Sequence, residues 1–250
     1  MSHHRKVALV TAGSAGLGAA IARLLARDLG MSVIINYHAN AARAESLVAD
    51  LQSQCGGASS SLPLPAPVFR AVQADISSRA GVAQLVEAAT AATGGRLDVV
   101  VSNVGWTRMR DFADLEDGVH EEDWDRCFGA NVKAHLWLFH ACKRALEESN
   151  RREPGAAVFP YAVTKAALIH LVKSLAIIAA PDIRVNCVSP GVLLTDWGLS
   201  FPPERLAATK EANKLKTFAT VEDVAEQVRT FVVSRTITGQ NGIIDAGFGL

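Results

Sequence analysis

Six short apolar runs, rich in β-branched residues, recur along the chain with longer stretches of helical period between them, and this alternation restricts the fold more than any other feature. The runs are KVALVT, MSVIINY, PVFRAVQAD, LDVVVSN, IRVNCVS and GIIDAG. They are nearly continuous in their hydrophobicity rather than alternating, as expected of parallel strands buried on both faces. Helical patterns are expected over Ala19 to Leu29, Ala41 to Gln54, Arg79 to Thr93, Glu122 to Ser149, Tyr161 to Ala180 and Val221 to Ser234. Thr220 followed by Asp223 approximates a capping box and fixes the start of the last of these. The fold class is therefore α/β, a single doubly wound, Rossmann-like parallel sheet.

The 250 residues suffice for a full core, and residues 1–250 are expected to form one dinucleotide-binding and catalytic domain. Residues 55–67, CGGASSSLPLPAP, lack periodicity and form a flexible surface loop. The 25 basic and 25 acidic residues cancel, which disfavours nucleic acid and anionic membrane surfaces as partners. No apolar run approaches the roughly 18 residues of a spanning helix, and no secretory leader is evident at MSHHRKVALV. Cys55, Cys127, Cys142 and Cys187 form no CxxC pair, so neither a metal site nor a disulfide framework is expected. A reducing, cytoplasmic location follows.

TAGSAGLG closes the first apolar run and opens a helix, the context in which a glycine pattern reads as a phosphate-binding turn. Gly13 would permit the tight turn, Gly16 close approach of the backbone, and Gly18 packing of the helix on the sheet. The helix N-terminus offers N–H groups and partial positive charge to a pyrophosphate. Ser14 and Leu17 within the turn, and Asn36 and Tyr37 at the end of the second run, complete the candidate contacts there. Glycines at such a turn can also be simple punctuation. Asp75, expected to face an adenine, taken singly reads at least as well as a helix cap, and Asn103 at least as well as a turn former. The second run ends Asn36, Tyr37, His38, without the carboxylate that would bind a ribose 2′-hydroxyl. Asn40 and Arg43 follow, so a 2′-phosphate meets no repulsion, which favours NADP(H) while leaving NAD(H) open. Arg43 reads equally as a solvated helix residue.

Tyr161 and Lys165 are spaced to share one helix face, one turn apart. A phenol titrates near 10 in isolation, and a neighbouring ammonium favours its ionised form. Such a pair can exchange a proton with a carbonyl or alcohol oxygen while a hydride moves to or from a nicotinamide.

Taken together, TAGSAGLG, SNVG, Asn131 in GANVK, YAVTK and NCVSPGVLLTDWG resemble the short-chain dehydrogenase/reductase family, over nearly the whole chain from Val7 to Gly247. The resemblance implies that Tyr161 is the proton donor or acceptor. It implies that Lys165 binds the nicotinamide ribose and lowers the tyrosine pKa, and that Asn131 holds a water in the proton relay. Pro190, Val192 and Thr195 resemble the loop that contacts the nicotinamide carboxamide, with Asn103 and Gly105 near the adjoining ribose. The implied substrate is a small carbonyl compound or alcohol, and the implied assembly a homodimer or homotetramer.

One interval departs from the family pattern, which places a strand and then a serine about a dozen residues before the tyrosine. Here the interval is NRREPGAAVFP, with no Ser or Thr between Gly155 and Tyr161. Ala156 to Phe159 spans only about 13 Å as a strand. One strand of the sheet's catalytic half is thus expected to be shortened or absent. If absent, it would leave a gap and a chain that binds nucleotide with little or no turnover. Ser149, at the end of the preceding helix, is assigned no catalytic role.

Overall fold

The computed structural model describes residues 4–55, 64–109, 115–150, 155–158 and 163–250. Six parallel strands form the main sheet: β1 Val7–Val10, β2 Ser32–Tyr37, β3 Phe69–Gln73, β4 Val99–Val101, β5 Gly155–Val158 and β6 Ile183–Val185. Their order, β3-β2-β1-β4-β5-β6, reverses direction between β1 and β4, the crevice where doubly wound sheets bind ligands. The helices are α1 Gly16–Arg27, α2 Ala41–Cys55, α3 Arg79–Ala92, the single turn α4 Leu115–Gly118, α5 Glu121–Phe128, α6 Ala134–Asn150, α7 Val163–Ala179, α8 Pro203–Ala212 and α9 Val221–Val233.

Strand residues feed two separate cores. Val7, Leu9 and Val100 face a layer built from α3, α6 and α7, whereas Ala8, Val10, Val99 and Val101 face α1, α2 and α9. Both faces being covered explains why these runs carry no polar alternation. At the amino ends of the central strands, away from the crevice, the buried carboxylate of Asp98 accepts from Val7 N at 2.9 Å. It also takes a two-pronged bond from Arg96, at 2.8 and 2.6 Å. Helix α9 starts with the expected capping box: Asp223 N donates to Thr220 Oγ1 at 3.0 Å and Thr220 N to Asp223 Oδ2 at 3.2 Å.

Three expectations are revised. The run IRVNCVS is two strands, because after β6 the chain turns at Asn186 into β7 Cys187–Pro190. This strand leaves the main sheet to pair in parallel with β8 Asn241–Ile244. Asn186 is fully buried at the junction, donating to Ile237 O at 2.9 Å and accepting from Gln240 N at 3.1 Å. The stretch read as one helix from Glu122 to Ser149 is interrupted by a π-helical segment, Gly129–Lys133. The sheet has no gap at β5, which is short but pairs with β4 through Val99 to Val101 and with β6 through Ile183 to Val185. Of the loop expected over residues 55–67, residues 56–63 lie outside the described residues, and the carbonyl of Pro65 accepts from Arg5 Nε at 3.0 Å.

Candidate active site

The turn between β1 and α1 forms the floor of the crevice. Its left-handed residues are Ala12 (φ 46°) and Gly16 (φ 49°), so the tight turn assigned to Gly13 is made instead by its neighbour. Gly13 is required for space, since a β-carbon there would stand 2.9 Å from Ile35 Cβ and from Val10 O. A β-carbon at Gly18 would meet Ala12 O at 2.4 Å and Asn103 Nδ2 at 2.7 Å, which closes the helix start onto β4. Ala15 at the N-cap of α1 has no side chain to satisfy the first N–H groups. Ser14 and Leu17 are half-buried beside them. This donor set and its packed glycine floor fit the pyrophosphate of a dinucleotide.

The end of β4 is joined to this turn. Asn103 N donates to Thr11 Oγ1 at 2.8 Å and Asn103 Nδ2 to Ala12 O at 3.3 Å. Gly105 is exposed. Asn131, in the π-helical segment, is buried and accepts from Trp106 N at 2.7 Å while donating to Trp106 O at 2.8 Å. The segment from Asn103 to Trp106 is thereby held between the glycine turn and the helix. Such π-helical insertions recur at functional sites because they re-aim a helix register by one residue. One turn further on, the buried pair His135 Nδ1 and Ser102 Oγ lies at 2.6 Å and ties the helix to the same strand end.

At the ends of β2 and β3, Asn36 is buried. Its Oδ1 accepts from Ala12 N at 3.3 Å and its Nδ2 donates to Ala74 O at 3.0 Å, so its amide braces the turn from behind. Tyr37 is half-buried at the strand end. Asp75 is exposed and is not a helix cap; that role falls to Ser78, whose Oγ accepts from Gly81 N. The Ser77 hydroxyl at 2.7 Å and the Ser77 amide at 2.9 Å hold the Asp75 carboxyl below its ordinary range, against a smaller opposing effect of burial.

The loop after β7 closes the far side. A β-carbon at Gly16 would lie 3.3 Å from Thr195 Cγ2, so this loop rests on the phosphate turn. Pro190 and Val192 are half-buried behind it, and Gly191 N donates to Ile244 O at 2.9 Å. Tyr161 lies outside the described residues, and Lys165 is described only as a backbone position in α7. Ser149 Oγ accepts from Leu97 N at 3.0 Å, at the amino ends of the strands and so opposite the crevice.

The sequence profile of a family described as Enoyl-(Acyl carrier protein) reductase matches residues 11–249. Dehydrogenase/reductase SDR family member 4 of Homo sapiens is 33% identical over 262 residues, covering 97% of this chain and 87% of that protein. The chain belongs to the short-chain dehydrogenase/reductase family. Among solved structures of the family, a short chain dehydrogenase from Burkholderia cenocepacia in complex with NADP superposes with a TM-score of 0.83. It is 31% identical, over 98% of each chain. A 7α-hydroxysteroid dehydrogenase complexed with NADH and 7-oxo glycochenodeoxycholic acid gives 0.83 at 25% identity, covering 97% of this chain and 93% of that one. As a member of the short-chain dehydrogenase/reductase family, this protein is an NAD(P)-dependent oxidoreductase. No helix among the described residues is long and apolar enough to cross a membrane.

Two features of this family member escape sequence reasoning. The Ser102 and His135 pair joins a strand end to a helix without any local motif. Arg43 Nη1 meets Asp196 Oδ2 at 2.8 Å across 153 positions of sequence, and nothing in either neighbourhood announces the other.

Proposed function

We propose that the chain transfers a hydride between NADP(H) and a carbonyl compound or secondary alcohol. The observation that carries this reading is the glycine floor at the sheet's reversal point, walled by Asn103 on one side and Thr195 on the other. Gly13, Ser14, Gly16, Leu17 and Gly18 line the phosphates. Asn36, Tyr37 and Asp75 lie toward the adenosine, and Asn103, Gly105, Pro190, Val192 and Thr195 toward the nicotinamide. When bound, that cofactor supplies or accepts the hydride.

Tyr161 gives or takes the proton at the substrate oxygen, and Lys165 orients the ribose and favours the phenolate. Asn131 holds the water of the relay, in a helical segment that its side chain ties to Trp106. The preference for the 2′-phosphorylated cofactor rests on Arg43 in the first turn of α2 and on the missing carboxylate at the end of β2. We further infer one catalytic unit over residues 1–250, a cytoplasmic location, and assembly as a homodimer or homotetramer. Ile177 and Ile178 on α7, 79% and 67% exposed, support the assembly.

Purified protein mixed with NADPH or NADH and a panel of ketones and aldehydes tests the reading by absorbance loss at the nicotinamide band. Turnover that disappears in Tyr161→Phe, while NADPH still raises the melting temperature, is the expected result. Oxidation unaffected by that substitution would overturn the assignment.

A further inference from the structure

The Arg43–Asp196 ion pair joins the two sides of the cofactor crevice. Arg43 stands in the first turn of α2, where its own N–H donates to Asn40 Oδ1 at 3.0 Å, just beyond the end of β2. Asp196 follows Thr195, the residue that rests on Gly16 of the phosphate turn. The loop is anchored on its own side as well. Thr195 N donates to Leu193 O and Leu199 N to Thr195 O, each at 2.8 Å, and a β-carbon at Gly198 would stand 1.8 Å from Leu193 O. A compact loop therefore reaches over the phosphate turn and brings a carboxylate 2.8 Å from the Arg43 guanidinium, beyond the end of β2.

We propose that Asp196 is a specificity-determining residue for the cofactor, acting as an internal competitor for the cation that would receive a 2′-phosphate. This rests on the proposed preference for NADP(H). A guanidinium pairs strongly with a phosphate, and here the same group is already engaged by a carboxylate. A 2′-phosphate must either displace Asp196 from Arg43 or share the guanidinium with it, which sets two anions against one cation. Both routes penalise the phosphorylated cofactor. A cofactor with a free 2′-hydroxyl leaves the pair intact, so the loop stays clasped over the turn. Asp196 thus narrows a preference that Arg43 by itself would make wide. Both side chains are well exposed, 50% and 79%, which limits the effect to that of a surface ion pair, about fivefold in a binding constant.

Equilibrium titration of the purified protein with NADPH and with NADH, read by nicotinamide fluorescence, tests this in the wild type, Asp196→Asn and Arg43→Ala. Asp196→Asn is expected to tighten NADPH about twofold to fivefold, with NADH unchanged or slightly weaker. Arg43→Ala is expected to weaken NADPH at least about tenfold with little change for NADH. If Asp196→Asn leaves the NADPH-to-NADH ratio at its wild-type value, or weakens NADPH, the competitor role is wrong even where Arg43→Ala behaves as expected. If Arg43→Ala moves both cofactors equally, the phosphate reading at Arg43 is wrong and the role of Asp196 falls with it. Both positions are exposed, and an unchanged melting temperature without cofactor checks that each variant is folded.

Discussion

Both ends of the side-chain amide of Asn131 bond to one residue: its oxygen accepts from Trp106 N at 2.7 Å and its nitrogen donates to Trp106 O at 2.8 Å. A helix side chain thereby serves as the hydrogen-bonding partner of a loop that has no strand beside it. The loop carries Asn103 and Gly105 to the crevice, so what Asn131 holds is the position of that wall. Asn131→Ala removes both bonds from a half-buried peptide, leaving the Trp106 carbonyl only the weak Cys127 Sγ donor at 3.7 Å, and is expected to cost roughly 2 kcal/mol in urea unfolding. Asn131→Asp keeps the acceptor but opposes the Trp106 carbonyl with a second oxygen, so it is expected to fall at least as far.

The phosphate turn contains one residue under backbone strain and one under steric restriction, and they respond oppositely to substitution. Ala12 sits at φ 46°, a conformation unfavourable for any residue with a β-carbon. Ala12→Gly is expected to gain about 0.5–1 kcal/mol in thermal unfolding with nucleotide affinity retained. Gly18→Ala drives a β-carbon to 2.4 Å from the Ala12 carbonyl, a backbone atom that cannot step aside. Loss of nucleotide affinity by at least about tenfold in titration is expected.

Acid stability should carry the signature of Asp75. Its carboxyl is held below 3.8 by the hydroxyl and amide of Ser77. The folded pKa is therefore depressed, so the contribution is present above the unfolded value and is lost as pH falls through the folded one. Ser77→Ala should lower the melting temperature by a constant amount from pH 7 to about pH 5, a cost under about 1 kcal/mol given the exposure of the group. The gap to wild type should close below pH 3.8. A gap that widened in acid would contradict the assignment.

Thiol chemistry should divide the cysteines. Burial pushes the Cys142 thiol up to about 12 and that of Cys187 up to about 11. Reactivity follows the thiolate. At pH 8 a disulfide reagent should label Cys55 and, more slowly, Cys127, whose thiol is also raised by burial. Cys142 and Cys187 should react only in denaturant, bringing the total to all four.

The strands, the α9 cap and the glycine floor are legible because each is a local pattern with a local cause. Valines at positions 99 to 101 face helices on both sides and so read as an unbroken apolar run. The gap expected at β5 rests on the short reach of Ala156 to Phe159 against a long strand. Its neighbours β4 and β6 are only three residues each, so four residues complete the ladder. The exchange of sheets at Asn186 leaves no mark in the apolar period, since Cys187 and Val188 at the start of β7 are as buried as β6. The π-helical segment GANVK is equally silent, because its register shift answers to Trp106, 25 positions earlier. Arg43 and Asp196 each look like ordinary surface residues until the loop after β7 brings them together.

The pairing of β7 with β8 bears on the order in which the protein is made. Cys187 and Asn241 are 54 positions apart, and the loop that covers the phosphate turn hangs from the strand end at Pro190, where Gly191 N reaches Ile244 O. A nascent chain halted upstream of Asn241 already contains the whole glycine turn but lacks the scaffold for the opposite wall. Nucleotide that needs both walls is therefore expected to bind only once β7 and β8 have paired. Chains destabilised in β8 should accumulate as folded sheets with a one-sided crevice rather than as unfolded material.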